Sequence, residues 1–539
     1  MEGFWTFLLY VVVPVVCCLQ NVCASDDRHM FTSYPNLLKL YYMEEESLSN
    51  VDVFLREELF EHGDKESADA AHNLTALRNL VAEAKQTHRE VGSNTKEYLS
   101  HPVNVFHLAR RLRTGWKNAI GHIRNSKPCK EWHMPQLISR LANIEDNLPS
   151  EGELTSVTYN LLTIQHTQGI RTQDLLRGKV GNRSALEPIS PQEQFQVAKV
   201  AVDEDDYFYA AQWLKHLSRS AKLKDMRKEE DGFNATNVLG MLASAYFRIN
   251  MLPEALKVTN QLLKKDPENM VARTNKVFFE ERIARGKEST KTGSPKRFGN
   301  EDTYRRNFER LCRGTEIKPK RLKCVLLPTW PRSKLSFHKL EILNRRPPIV
   351  AFHGVVSRRD ATRLVDVAEE EYEKIAMDSE EGFRTPEFTL VMSKLGKTRA
   401  AQYKQQQLLS KIRTKLSTLP YTVRPPYTSG ESEARNFGHQ GFYIKPNPHF
   451  QIQNLGAHTG TAMVFLNDVE MGGEIVFPTA NTRIAPQMGT VVFYFPSFKK
   501  FHTICPVAYG TEWVLIHSFY ERRAPYFCRL HEDPDLQQK

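Results

Sequence analysis

His449, Gln451 and His502 are the residues of this chain whose types and spacing come nearest to a metal site. A His-x-Asp/Glu pair with a second, distant His makes the facial triad that holds Fe(II) and leaves adjacent positions open for a co-substrate and dioxygen. In Asn447-Pro448-His449-Phe450-Gln451 the carboxylate position is taken by Gln451, and the distant histidine is His502 in Phe501-His502-Thr503-Ile504-Cys505-Pro506. An amide oxygen can still ligate. It is neutral, however, so the site lacks the negative charge that favours a hard divalent ion and fixes its geometry.

Such ligands need strand ends to hold them. Thr459–Val469, Met471–Pro478, Gly489–Phe495 and Glu512–Ile516 are short β-branched and aromatic runs separated by Gly, Pro and Asn. That rhythm predicts an antiparallel double-sheet jelly roll over about residues 430–525. Pro347–His353 reads as a strand opening this domain and Asp360–Ala376 as its first covering helix.

These segments give a specific resemblance. Pro448-His449-Phe450, the run from Asp468-Val469 through Gly472-Gly473 to Val476-Phe477-Pro478, Gly489-Thr490, and His502–Val507 are similar to the catalytic domain of the prolyl 4-hydroxylase alpha subunits. The family hydroxylates peptidyl proline in collagen-type repeats with Fe(II), 2-oxoglutarate, dioxygen and ascorbate. The resemblance implies that His449 and His502 are metal ligands, that Gln451 replaces the family's aspartate, and that Tyr443 is the co-substrate-binding tyrosine. It also places Glu512 where the family carries the lysine that pairs with the far carboxylate of 2-oxoglutarate.

Two unit charges about 4 Å apart at an effective dielectric near 20 interact by roughly 4 kcal/mol, so exchanging attraction for repulsion swings the balance by up to ~8 kcal/mol. No nearby cation compensates. His517 falls on the opposite strand face, and Arg522 shares the parity of Glu512 but lies roughly 33 Å along an extended strand. The reading is therefore a family member whose own catalysis is impaired, with a catalytically inactive peptide-binding or assembly subunit as the alternative.

The rest of the chain reads as an α+β multidomain protein. Residues 1–24 are expected to be a signal peptide, apolar from Phe4 to Leu19 and ending in Val22-Cys23-Ala24. No later stretch is apolar enough to span a bilayer. Residues 25–180 are expected to be a helical, coiled-coil-like dimerisation region. Leu37, Leu38, Tyr41, Leu48, Val51, Leu55 and Leu59 recur at helical spacing, and after His62-Gly63 a second helix runs through Leu77, Leu80, Val81 and Ala84. His101–Phe106 with Leu108 and Arg110-Arg111-Leu112 resembles the segment that follows this region in the family.

Residues 190–285 carry a tetratricopeptide-like period: Leu242-Ala243, Tyr246, Ala255-Leu256 and Asp266-Pro267, with a poorer copy at Ala198, Tyr207, Ala210 and Trp213. Tyr207, Tyr209, Trp213 and Tyr246 either line a groove for a proline-rich peptide or pack the helices together. In the family this module binds peptide substrate. Residues 286–340 are expected to be a linker and 341–530 the oxygenase-like domain.

With 539 residues, 40% of them apolar, the chain can bury several cores, and 74 basic against 63 acidic residues are largely interspersed. The net charge of +11 reads as a solvated surface, densest in the Lys291–Lys323 stretch, and not as a nucleic-acid footprint. Cys17, Cys18 and Cys23 are expected to leave with the signal. By the resemblance, Cys312 pairs with Cys324 and Cys505 with Cys528, which leaves Cys129 over. Acceptor sequons at Asn73, Asn182 and Asn234 agree with passage through the secretory route. Family membership further implies residence in the endoplasmic reticulum lumen and a heterotetramer with protein disulfide isomerase.

Overall fold

The computed structural model describes residues 34–61, 68–125, 139, 142, 144–220, 233–285, 303–314, 323–329, 333–346, 348–377, 389–391, 399–419, 427–437, 458–495 and 502–521. Its N-terminal part is helical. The two expected amphipathic segments form α1 (Tyr34–Glu61) and α2 (Ala68–Val91), and their apolar positions Leu37, Leu38, Val51, Leu77, Val81 and Ala84 are buried. Then come α3 (Thr95–Leu99), α4 (Pro102–Arg110), a π turn over Arg111–Trp116 and α5 (Lys117–Asn125). Pro102 opens α4 at the one place where a missing N–H is harmless.

α6 (Glu151–Gln168) begins with a reciprocal capping box between Ser150 and Glu153 and ends at Gly169, whose φ of 64° supplies the left-handed cap. A short α7 (Thr172–Leu176) leads to a two-stranded hairpin, β1 (Lys179–Val180) with β2 (Arg183–Ser184).

The tetratricopeptide-like period produces the antiparallel pairs α8 (Pro191–Asp203) with α9 (Tyr207–Leu217) and α10 (Ala235–Arg248) with α11 (Leu252–Lys265), closed by α12 (Met270–Ala284). Ala198, Ala210, Ala245 and Ala255 are fully buried where the paired helices approach.

Part of the segment expected to be a linker forms secondary structure. It supplies α13 (Thr303–Arg313), β3 (Lys323–Thr329) and the start of β4 (Ser333–Arg345). β3 and β4 extend the jelly roll's major sheet because β4 pairs antiparallel with β5 (Pro348–His353). The covering helices are α14 (Arg358–Met377) and α15 (Arg399–Ser417). The remaining strands are β6 (Thr389–Val391), β7 (Tyr427–Phe437), β8 (His458–Phe465), β9 (Ile475–Phe477), β10 (Thr482–Ile484), β11 (Val491–Tyr494), β12 (Thr503–Ile504) and β13 (Glu512–Glu521).

The major sheet runs β3-β4-β5-β11-β8-β13-β7-β6 and the minor sheet β10-β9-β12. Period-two alternation sends the two faces of the major sheet to different cores. Val350, Phe352, Val464, Phe493 and Leu515 pack beneath α14 and α15 with Leu364, Ile412 and Leu416. Ile349, Met463, Phe465, Val492 and Val514 meet Ile475, Phe477, Ile484 and Ile504 of the minor sheet. The second core is the interior of the jelly roll.

Candidate functional site

β12 and β13 carry the two candidate residues of the jelly roll that are described. His502 immediately precedes β12 and is buried. Its ring packs on Phe477 and on Tyr494, at centroid separations of 5.9 Å and 4.7 Å, and its Nε2 hydrogen-bonds the Tyr494 hydroxyl at 3.1 Å. Tyr443, His449 and Gln451 lie outside the described residues. Among the described residues no cluster of three His, Cys, Asp or Glu side chains is placed to hold a metal ion.

Glu512 opens β13, two residues before the interior-facing Val514, and is fully buried. The turn at Gly472-Gly473 approaches it closely: a Cβ on Gly473, whose φ is 75°, would lie 3.0 Å from a Glu512 carboxylate oxygen. Side chains with a Cβ rarely adopt that φ, so Gly473 is what lets the turn lie against the carboxyl, while Gly472 lets the same turn approach the Pro506–Ala508 backbone.

Glu474 follows at once, buried and ion-paired to Arg483. Burial, and then the neighbouring Glu474 carboxylate, push Glu512 well above the usual carboxylate range. Whatever its charge, an acid at this position supplies none of the roughly 4 kcal/mol of attraction that a cation would offer a carboxylate.

The described surroundings of Glu512 do not fit the far carboxylate of 2-oxoglutarate, which the resemblance would seat there. A buried acid beside a second carboxylate offers no positive charge to an entering anion, and Arg483 is already committed to Glu474. His517 is also buried, but it faces the helix-covered core beside Phe519, on the other side of the strand from Glu512. Burial, followed by the charge of Arg413, lowers it to about 4, so it supplies no positive charge at pH 7. The sequence reading missed Glu474, Arg483 and Tyr494. A charged residue wedged between Gly472-Gly473 and the apolar Ile475-Val476-Phe477 was the available signal for Glu474.

The disulfide expectation is corrected. Cys312 bonds Cys505 and not Cys324, which is exposed and carries no disulfide. The reason is packing. α13 lies across the minor sheet with Leu311 and Cys312 clustered on Val476 and Cys505, whereas Cys324 belongs to the outermost strand β3. Cys129 and Cys528 lie outside the described residues.

In the helical-pair domain the four candidate aromatics part company. Trp213 is fully buried and donates its indole N–H to Gln165 of α6 at 2.9 Å. Tyr209 stacks on His166 of α6 with centroids 3.8 Å apart, and the Nε2 of His166 lies 2.9 Å from Asp206. Both residues join this domain to the N-terminal helices, because α9 turns its aromatic face toward α6 and not toward solvent. Tyr246 is buried within α10. Tyr207 alone of the four is partly exposed, with its hydroxyl donating to Asp205 at 2.8 Å and Arg248 over its ring at 5.2 Å.

Of the three sequon asparagines, Asn182 is exposed in the β1–β2 turn and Asn234 is the half-buried N-cap of α10. Asn73 lies within α2, and its side chain is outside the described residues. No helix among the described residues is long and apolar enough to cross a membrane.

Comparison with known proteins follows this division. Residues 33–182 match the family described as the prolyl 4-hydroxylase alpha-subunit N-terminal region, and residues 191–285 match the prolyl 4-hydroxylase peptide-substrate-binding domain. The chain is 26% identical over 500 residues to prolyl 4-hydroxylase subunit alpha-1 of Rattus norvegicus, covering 85% of this chain and 90% of that one. It is 23% identical over 550 residues to subunit alpha-2 of Caenorhabditis elegans, covering 97% and 96%. Among solved structures, a viral collagen prolyl hydroxylase from Paramecium Bursaria Chlorella virus-1, in a 2OG complex, aligns with 32% of this chain and 96% of its own at 16% identity and a TM-score of 0.25.

Proposed function

For a chain that is a prolyl 4-hydroxylase alpha-subunit-like protein, we propose that it engages collagen-type or other proline-rich peptides in the endoplasmic reticulum lumen while its own Fe(II)- and 2-oxoglutarate-dependent 4-hydroxylation is impaired. The observation that carries this reading is Glu512, a buried acid beside Glu474 at the position where the family places a lysine. Gln451 supports it, since a neutral amide replaces the ligand that supplies charge to the metal. Peptide capture falls to the helical pairs at 191–285, with Tyr207 the aromatic presented to a ligand.

The same carboxyl favours the stronger form of the proposal, a catalytically inactive peptide-binding or assembly subunit. Protein disulfide isomerase is the expected partner in either form, and sequons at Asn73, Asn182 and Asn234 accord with the secretory route. If the iron site forms, His449 and His502 hold the metal with Gln451 as a weak third ligand, and Tyr443 faces the co-substrate.

The test is to purify the chain co-expressed with protein disulfide isomerase, supply iron, ascorbate, 2-oxoglutarate and a Pro-Pro-Gly repeat peptide, and follow succinate release. The native chain is expected to bind peptide and release no peptide-dependent succinate. Turnover that disappears in His449→Ala would defeat the proposal. Recovery only in the double variant Gln451→Asp with Glu512→Lys would locate the lesion in these two residues.

A further inference from the structure

Asn182 occupies a place that the other two sequon asparagines do not. It is exposed at the tip of the β1–β2 hairpin, next to Gly181, whose φ of 59° makes the tight turn. A Cβ on Gly181 would lie 3.5 Å from the sulfur of Met471, so the tip rests on the jelly roll.

Arg183 fixes it there. Its Nε and Nη2 both donate to Glu470 at 2.9 Å, its Nη1 donates to Glu97 at 3.1 Å, and its guanidinium lies 5.0 Å from the centre of the Tyr509 ring. One arginine is thus held by the N-terminal helices and the jelly roll together. Two further contacts close the same junction: Gly510 N–H donates to the Ser100 carbonyl at 3.3 Å, and Lys96 pairs with Glu369 at 2.6 Å.

Beside the hairpin is a cleft of about 380 Å³, lined by Asn182 itself with Glu97, Tyr98, His101, Asn104 and Tyr509. Ligand pockets range over about 300–1,000 Å³, so this one suits a single sugar ring and not an extended chain. Its tyrosine hydroxyls, carboxylate and amide groups can take the hydroxyls and the amide of a sugar. At Asn234 the side-chain oxygen is already bonded to Asn237 N–H and to the hydroxyl of Thr236, both at 2.7 Å, so that sequon is drawn into a helix cap.

We propose that Asn182 carries an N-linked glycan whose first N-acetylhexosamine lies in this cleft, between the N-terminal helices and the jelly roll. In the modification, the donor's C1–O bond to a polyprenyl pyrophosphate breaks, a C1–Nδ2 bond to Asn182 forms, the pyrophosphate lipid leaves, and the amide gives up one proton. Donor and transferase are those of the host cell. Attached there, the sugar adds contacts to both sides of a junction where Ala508, Tyr509 and Met471 of the jelly roll already pack into the N-terminal core.

The test uses the full chain secreted from a glycosylating cell. Amidase release in heavy-oxygen water followed by peptide mapping is expected to convert Asn182 to Asp, and both Asn182→Gln and Ser184→Ala are expected to lack that glycan. Release from the folded chain is expected to be at least tenfold slower than from the denatured chain, and faster in Tyr509→Ala.

Modification at Asn73 or Asn234 with Asn182 bare would overturn the inference while leaving the secretory reading intact. Absence of any glycan would overturn both. A glycan on Asn182 released equally fast from the folded and denatured chains would overturn its place in the cleft.

Discussion

Two fully buried glutamates, one in each half of the molecule, meet opposite fates. Glu44 of α1 sits among the N-terminal helices with Arg111 donating through Nε and Nη2 to its two oxygens, each at 2.9 Å. Trp116 N–H donates at 3.1 Å and His88 approaches at 3.1 Å, the first and last residues of the π turn both reaching this carboxylate. Burial alone would raise its pKa, but Arg111 and His88 overcome that and bring it down to about 2. Glu512 has the same burial with a carboxylate for a neighbour, and its pKa moves the other way. What a buried acid does is decided by the partner that the fold delivers.

The largest test of this contrast is Glu44→Ala, which strands the Arg111 guanidinium. It is expected to cost about 3–5 kcal/mol in chemical denaturation. The sign with pH follows from the lowered pKa: the contribution of Glu44 is present above its unfolded value of 4.5 and is lost as pH falls toward about 2.

A second comparison separates packing from binding. Trp213→Ala is expected to cost about 3–5 kcal/mol because it empties a buried site. Tyr207→Ala is expected to leave the melting temperature within a degree or two and to weaken binding of a proline-rich peptide in titration calorimetry. Equal loss of stability in both would merge the roles that the structure separates.

Glu512→Gln should move stability the other way. A raised folded-state pKa means that the native chain holds a proton that the unfolded chain releases, so this residue's contribution is complete below 4.5 and declines as pH rises. The amide is expected to gain on the order of 1 kcal/mol at neutral pH and to flatten the slope of stability against pH above 4.5. Thermal melting across that range measures both.

Local pattern made much of this architecture legible. The helical spacing of Leu37–Leu55 and Leu77–Ala84 became α1 and α2, and the runs around Val464, Val476, Val491 and Val514 became strands of two facing sheets. Strand parity also placed His517 opposite Glu512. Hidden from that reading was whatever depends on which distant elements meet. Glu474 beside Glu512 requires β9 and β13 to close on each other, and Cys312 with Cys505 requires α13 to cross the minor sheet. The inward turn of Tyr209 and Trp213 requires α6 to lie against α9. Periodicity reports which face of an element is buried, not what it is buried against.

The most direct measurement of the central claim is equilibrium binding of 2-oxoglutarate to the native chain and to Glu512→Lys, both loaded with Mn(II) and followed by titration calorimetry. The account predicts no saturable binding to the native chain and a measurable site in the lysine variant. Binding to the native chain as tight as to the variant would contradict it.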